Sequence, residues 1–439
     1  MIELLGIILF LLIVLFMGTP VAFGLGFVAV TVILVLLSPG QLAQLGSIAY
    51  NQGTGINLMV APLFILMAEI LLQAKIAGDI FYVLSKWTRR IKGGLAISAT
   101  LASTIFAALC GSSPATAATI GRISIKEMVD RGYQEEFTSG VVAAGGTLGI
   151  MIPPSLAMVI YGIITEVSIA KLFIAGILPG ILISGVIMVY ILVRSKLNPS
   201  IVGFGENAAS AELQQREEED SSTALKQDIK LLAPPLLLII ILILALYTGF
   251  ATPTEIAGFG SIVALVFSVC LGRLKAKMLA NIFLRTARFS AMIAFMIFCG
   301  MSLSYVVSYL GLPQQLTSWA IDFGVNRWVF MILVYILWLI LGCLIDPTSM
   351  IVLTIPFLFP VFEAFGFHPI WLGVVSTLAV EIGMITPPVG LNLFILKAVS
   401  DVSMKKIIAG TFWPVVLLLS ALVVLSVFPQ IALYLPSKM

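Results

Sequence analysis

The sequence predicts an all-α polytopic membrane protein, an inverted repeat with two re-entrant helical hairpins and two Pro-Pro-broken helices. Three observations predict it. Of the 439 residues, 60% are hydrophobic and only 10% charged, with a mean hydropathy of +1.14, which places the chain among multi-span helical membrane proteins. Two apolar runs carry a double proline, GIMIPPS at 149–155 and GMITPPVG at 383–390. A shift of 234 residues lays the first on the second, pairing Gly149 with Gly383, Pro153 with Pro387 and Pro154 with Pro388.

The same shift pairs Lys171 with Lys405, Gly176 with Gly410, Gly24 with Gly258 and Gly26 with Gly260. One offset kept over so long a stretch indicates duplication. The expected domains are a first repeat at 1–194, a linker at 195–230 and a second repeat at 231–439. Apolar segments fall at 2–17, 21–38, 56–74, 137–164, 170–193, 231–250, 254–272, 289–310, 368–398 and 407–428. Most reach the roughly twenty residues that cross hydrocarbon. The first is read as a span rather than a cleavable signal, since its start carries Glu3, no base, and no small-residue cleavage site.

In each half one segment is too short or interrupted. Residues 93–121 hold a first arm of about fifteen residues, about 22 Å as helix, then a break at GSSP and a second arm. Twenty of these 29 residues are Gly, Ala, Ser or Thr, so the element packs closely and can slide. Its counterpart at 329–365 breaks at DPTS, 346–349. Both read as re-entrant hairpins; the alternative is a pair of tightly connected full spans. The broken helices follow at 137–164 and 368–398.

Charge orients this layout. With the N-terminus outside, the loops at 75–94, 121–136, 194–230, 273–288 and 397–406 face the cytoplasm and hold 21 of the 24 lysines and arginines. Both termini are then periplasmic, the second half is inverted relative to the first, and the lipid bilayer is the chain's main partner. The polar linker, including ENAASAELQQREEEDSS, is expected to be flexible and to carry no chemistry. The stretches DIFYVLSKWTRRIK and RLKAKMLANIFLRTARF are expected along the inner interface. A net charge of +3 gives no basis for nucleic-acid binding. The four cysteines lack metal-like spacing and read as small apolar residues. With His368 the only histidine, histidine-based metal or triad chemistry is nearly excluded, and no enzyme motif or organic cofactor site appears.

A double proline removes backbone donors and leaves helix carbonyls without partners inside the membrane. Inverted repeats with paired hairpins and broken helices are the layout of secondary transporters, whose unwound carbonyls coordinate sodium. The expected sodium ligands are therefore main-chain oxygens of the breaks, with the Thr386 hydroxyl beside the second, and the hydroxyls of the preceding tips, Ser112 and Ser113 in the first half and Thr348 and Ser349 in the second. Ile152, the counterpart of Thr386, could offer only a carbonyl. Asp346 could hold sodium, carry a proton or cap the following helix. Candidate substrate contacts are Pro114, Thr116, Thr147, Ser155 and Asn392. Glu69 and Glu381 are intramembrane carboxylates, functional candidates by default or structurally paired; Glu255 reads as a first-turn helix residue.

The stretches MGTPVAFGLG, APLFILMAEILLQA, CGSSPATAATIG, GGTLGIMIPPS, GFATPTEIAGFG, GCLIDPTSMIVLTIPFLFPV and GMITPPVGLNLF together resemble the large membrane subunit of TRAP (tripartite ATP-independent periplasmic) transporters. They cover nearly the whole chain except 195–230. The resemblance implies an elevator-type fold of the ion transporter superfamily and a sodium-driven importer of the bacterial inner membrane. It implies two partners, a small four-helix membrane subunit and a periplasmic substrate-binding protein. It also implies two sodium sites, one at Ser112, Ser113 and Ala115 with Gly149, Ile152 and Pro153, the other at Asp346, Thr348 and Ser349 with Gly383, Thr386 and Pro387. The solute would be an organic acid such as a C4-dicarboxylate or a sialic acid. The divalent-anion/sodium symporters share the fold, and a stand-alone symporter of that type is the alternative. They carry Ser-Asn-Thr at both tips, where this chain has Ser112-Ser113-Pro114 and Asp346-Pro347-Thr348.

Overall fold

The computed structural model describes residues 2–203 and 221–439. Among them the regular structure is helical, joined by turns, loops and short 3-10 segments, with one isolated bridge between Tyr133 and Val202. In the first half the helices are α1 (Ile2–Phe16), α2 (Val21–Leu36), α3 (Leu42–Thr54), α4 (Val60–Gln73), α5 (Ile76–Thr88), α6 (Gly94–Cys110), α7 (Ser113–Asp130), α8 (Glu135–Leu148), α9 (Leu156–Thr165) and α10 (Ile169–Leu197). The second half contains α11 (Ser221–Tyr247), α12 (Pro253–Cys270), α13 (Ala276–Tyr309), α14 (Leu312–Asp322), α15 (Arg327–Gly342), α16 (Pro347–Ala364), α17 (Pro369–Met384), α18 (Leu391–Val399), α19 (Met404–Val427) and α20 (Gln430–Leu433).

The repeat offset recovers most of this list. Shifted by 234 residues, α7 lands end for end on α16, and α5, α6, α8, α9 and α10 fall on α14, α15, α17, α18 and α19 within a few residues at their starts. The halves differ in one place. The short α3 and the span α4, separated by a 3-10 turn at Ile56–Met59, correspond to a single 34-residue helix, α13. The basic stretch RLKAKMLANIFLRTARF therefore does not form a separate interfacial helix; it runs straight into a span. The first amphipathic stretch is α5, which buries Ile76, Ile80, Phe81 and Leu84 against the protein. Of the expected linker, 195–197 complete α10, 221–230 belong to α11, and 204–220 lie outside the described residues.

Among the described residues, seven helical stretches are long and apolar enough to cross a membrane, including Ile56–Gln73, Ile169–Leu197, Ala276–Tyr309 and Met404–Val427. The helices pack in two groups. One packs α2 on α13 and α4 on both α12 and α13; the other packs α8 on α19, α6 on α8, α15 on α17 and α7 on α18. The second group interlocks the halves, because α7 and α8 come from one repeat and α18 and α19 from the other. At the α8–α19 crossing, a Cβ on Gly140 would sit 2.0 Å from the Gly410 carbonyl oxygen, so the helices touch backbone to backbone. The groups meet where α4 packs on α6 and α13 on α16; a Cβ on Gly300 would fall 2.2 Å from Val352 Cγ1.

Local sequence explains the helix starts. Thr252 and Glu255 form a reciprocal capping box on α12, with Glu255 N donating to Thr252 Oγ1 at 3.3 Å and Thr252 N to Glu255 Oε2 at 2.8 Å. Ion pairs gather at the basic loops: Lys86 with Asp228 at 3.0 Å, Lys406 with Glu135 at 3.2 Å, and Arg273 with Asp79.

Candidate functional site

Each half builds the same unit from three pieces: the end of a first hairpin arm, a tip, and a broken helix. In the first half α6 ends at Gly111, whose φ of +62° suits a residue without a Cβ. Ser112 is extended and caps α7, its Oγ accepting from Ala115 N at 3.5 Å. Thr116 turns back on the tip and donates to the Ser112 carbonyl at 2.9 Å. Helix α8 stops at Leu148, the chain runs without helix to Ser155, and Ser155 caps α9 by accepting from Met158 N at 3.3 Å.

The break is pressed against the first arm, not only against the tip. A Cβ on Gly149 would lie 1.7 Å from Ala107 Cβ, and one on Gly111 would lie 2.8 Å from the Pro154 carbonyl oxygen. Leu156 N donates to the Gly111 carbonyl at 3.4 Å. On the other side Gly176 of α10 admits the Met151 carbonyl, which would be 2.2 Å from an added Cβ. Every residue from 149 to 155 is buried. Thr147 is also buried, its hydroxyl bonded to the Ala144 carbonyl at 2.8 Å.

The second unit repeats the plan. Helix α17 ends at Met384 and α18 begins at Leu391. A Cβ on Gly383 would lie 2.8 Å from Gly342 Cα. Gly390 N donates to the Cys343 carbonyl at 3.0 Å, and the Cys343 thiol donates to the Thr386 carbonyl at 3.2 Å. Thr386 Oγ1 donates to the Ile382 carbonyl at 2.6 Å, leaving its lone pairs available. Both Pro153–Pro154 and Pro387–Pro388 are cis.

At the second tip Asp346 is a helix cap. Its Oδ2 accepts from Thr348 N and Ser349 N, both at 3.1 Å, and the hydroxyls of Thr348 and Ser349 also donate to the carboxylate. Ser349 additionally approaches Met296 Sδ at 3.3 Å. These side chains face Asp346 and α13; the contacts to the second break come from Gly342 and Cys343.

The arrangement also joins residues from opposite halves. Asn392, in the first turn of α18, donates from Nδ2 to Ser113 Oγ at 2.6 Å, and both side chains are fully buried. Glu381, also fully buried, lies beside the Ser113 hydroxyl; among the described residues no basic side chain pairs with it and neither carboxylate oxygen makes a well-aligned hydrogen bond. Ala107, Gly111, Gly342 and Cys343 were not among the expected site residues. The signal that could have pointed to them is the small-residue content of the arm ends.

The oxygens of the two units are hydroxyls and main-chain carbonyls, joined at the second tip by the Asp346 carboxylate, with glycines letting two backbones close to contact. Such sets suit a hard monovalent cation. The residues present fit sodium.

The sequence matches the family described as "Tripartite ATP-independent periplasmic transporter, DctM component" over residues 8–431. It is 34% identical to the C4-dicarboxylate TRAP transporter large permease protein DctM of Pseudomonas aeruginosa, over 92% of each chain. It is 31% identical to the sialic acid TRAP transporter large permease protein SiaM of Vibrio cholerae, over 96% of each. In fold alone, it is similar to the crystal structure of the Alcanivorax borkumensis YdaH transporter, with a TM-score of 0.65 over 91% of each chain at 16% identity. Two joined observations, paired arm-and-break units and end-to-end similarity to large permeases, place the chain in the DctM component family of the tripartite ATP-independent periplasmic transporters.

Proposed function

We propose that this large permease subunit imports an organic acid, driven by sodium and supplied by a periplasmic binding protein. The single observation that carries the reading is the pair of repeat-related units, each with a glycine at the break (Gly149, Gly383) closing on a hairpin arm. The halves, 1–194 and 231–439 joined by 195–230, are inverted with both termini periplasmic in the inner membrane, as the basic loops favour.

Sodium is held in two places. The first is the break at Gly149, Ile152 and Pro153 beside Ser112, Ser113 and Ala115. The second draws on Gly383, Thr386 and Pro387 together with Asp346, Thr348 and Ser349. Pro114, Thr116, Thr147, Ser155 and Asn392 lie toward the solute. The hairpins are re-entrant and move with the broken helices as one body against a scaffold of α2, α4, α12 and α13, along the small-residue contact at Gly300 and Val352. The relatives' names include a C4-dicarboxylate and a sialic acid; a carboxylate is therefore the solute class. A small membrane subunit completes the assembly. One net inward charge falling through 100 mV supplies about 2.3 kcal/mol, enough for roughly fortyfold accumulation at about 1.4 kcal/mol per decade.

The test is reconstitution in liposomes with the small subunit and a candidate binding protein. Uptake of a labelled carboxylate is expected under an inward sodium gradient and not when choline replaces sodium. Equal uptake in choline overturns sodium coupling; full uptake without any binding protein overturns dependence on it.

A further inference from the structure

We infer that Glu381, Asn392 and Ser113 form an additional sodium site at the junction of the two repeats. It shares Ser113 with the first break site but is anchored on the Glu381 carboxylate, which neither break site uses. The inference rests on the sodium-driven reading above.

The argument is a count of donors and acceptors. Glu381 in the last turn of α17, Asn392 in the first turn of α18 and Ser113 in the first turn of α7 are each 0% exposed. Asn392 Nδ2 donates to Ser113 Oγ at 2.6 Å, which points its amide toward the first hairpin. Three oxygens remain without any hydrogen-bond partner: Oε1 and Oε2 of Glu381 and Oδ1 of Asn392. A carboxylate and an amide carbonyl only accept, so these atoms cannot satisfy one another. The Ser113 hydroxyl beside Glu381 has a single proton to give, so it can serve at most one of these three oxygens and leaves the others unpaired.

Buried acceptors left unpaired are costly, and an ionised carboxylate without a counter-charge much more so. No lysine or arginine pairs with Glu381 among the described residues. A cation bound to these oxygens removes both costs together. One carboxylate calls for one positive charge, and carboxylate, amide and hydroxyl oxygens suit a hard ion.

The location gives the site a role. Ser113 belongs to the tip of the first hairpin, while Glu381 and Asn392 flank the second break. An ion there ties the first tip to the second broken helix and orders both halves of the moving body at once.

The experiment compares wild type with Glu381→Gln as the full chain with its small subunit in detergent. Saturable binding of radioactive sodium at equilibrium is measured, and thermal unfolding in sodium chloride against choline chloride. Glu381→Gln should bind one sodium fewer per chain and, being neutral, should unfold at a higher temperature than wild type in choline. Its sodium-induced rise in Tm should be smaller. Asn392→Leu, which keeps the carboxylate, should weaken one sodium equivalent by roughly tenfold, about 1.4 kcal/mol, and covers the case in which Glu381→Gln fails to fold. An unchanged sodium count and an unchanged Tm shift in both variants overturn this inference while leaving the two break sites standing. No saturable sodium binding by wild type overturns both readings. A carboxyl group that holds a proton instead gives the unchanged count, and so also overturns the inference.

Discussion

The two breaks share a sequence pattern and a backbone plan, yet they sit in different surroundings. From Gly149 to Ser155 the first is buried at every residue, wedged between α6 and α10. The second leaves Pro387 and Pro388 exposed and Thr386 half-buried. The tips differ too. Ser112 makes one long bond to a backbone amide, whereas Asp346 gathers two amides and two hydroxyls. Duplication therefore preserved how the chain breaks while the environment of each break diverged. In a protein proposed to alternate between two openings, such asymmetry is what one conformation of a symmetric plan looks like.

The largest expected effect separates the breaks by what obstructs them. Gly149→Ala drives its methyl into the Ala107 methyl, 1.7 Å away, and should cost about 3 kcal/mol, the upper end of overpacking. Because the worst obstacle is a side chain, with the Ala107 Cα behind it at 3.0 Å, adding Ala107→Gly should restore part of the loss, less about 1 kcal/mol for glycine in a helix. Gly383→Ala meets Gly342 Cα at 2.8 Å and the Leu339 carbonyl at 3.0 Å. That obstacle is main chain and no single substitution relieves it. Thermal unfolding of the three variants decides the matter: absence of rescue at position 107 would mean the first break is held by something other than this contact.

Next in size is the cap. Asp346→Ala removes four accepted bonds at the start of α16 and should cost about 2 kcal/mol, whereas Ser112→Ala should cost about 0.5 kcal/mol, the ends of the usual capping range. Asp346→Asn sharpens the comparison. It keeps an acceptor for the two amides, so stability should hold within about 1 kcal/mol. If its sodium dependence of uptake is lost all the same, Asp346 serves the ion as well as the helix.

How far the sequence reached follows from the range of each interaction. Composition and hydropathy are sums over the chain, so the helical membrane class was legible without any contact. The 234-residue offset was legible because duplication leaves its mark residue by residue, and α7 and α16 fall on it end for end. By contrast, the merging of an amphipathic stretch and a span into α13 depends on the absence of a break like Gly55 in the first half, a local detail that apolar patterning passes over. Proline pairs and capping residues such as Asp346 act within one turn and could be read directly, though whether Asp346 capped or bound an ion was open. The Asn392–Ser113 bond spans 279 residues, and nothing in either segment's pattern names the other. Gly342 and Cys343 were missed for the same reason: their partners at the break are distant in sequence and chiefly main chain.

Solvent reach offers a direct challenge to the comparison. In a background with the four native cysteines replaced by serine, Pro388→Cys should react readily with a water-soluble maleimide, and Pro154→Cys, its repeat counterpart, should be protected. Equal labelling would show that the two breaks exchange exposure faster than the reagent reacts. Labelling of position 154 alone would mean that the opposite opening dominates in the membrane.

The last effect concerns the hydroxyl that the second break has at Thr386 and the first lacks at Ile152. Thr386 donates to the Ile382 carbonyl at 2.6 Å, and Thr386→Val keeps the shape while removing that bond and one lone-pair donor to the proposed ion. The expected cost is about 1 kcal/mol in stability and, at about 1.4 kcal/mol per decade, roughly a fivefold loss of sodium affinity in uptake. The reciprocal change is Ile152→Thr. Leu148 stands in the first half where Ile382 stands in the second, so the new hydroxyl can turn back on its carbonyl as Thr386 does. In the buried first break this should leave sodium affinity unchanged, because the residues there are already enclosed by protein. A gain in affinity from Ile152→Thr would make the hydroxyl a transferable ligand, and the difference between the halves would then lie in their side chains rather than in their burial.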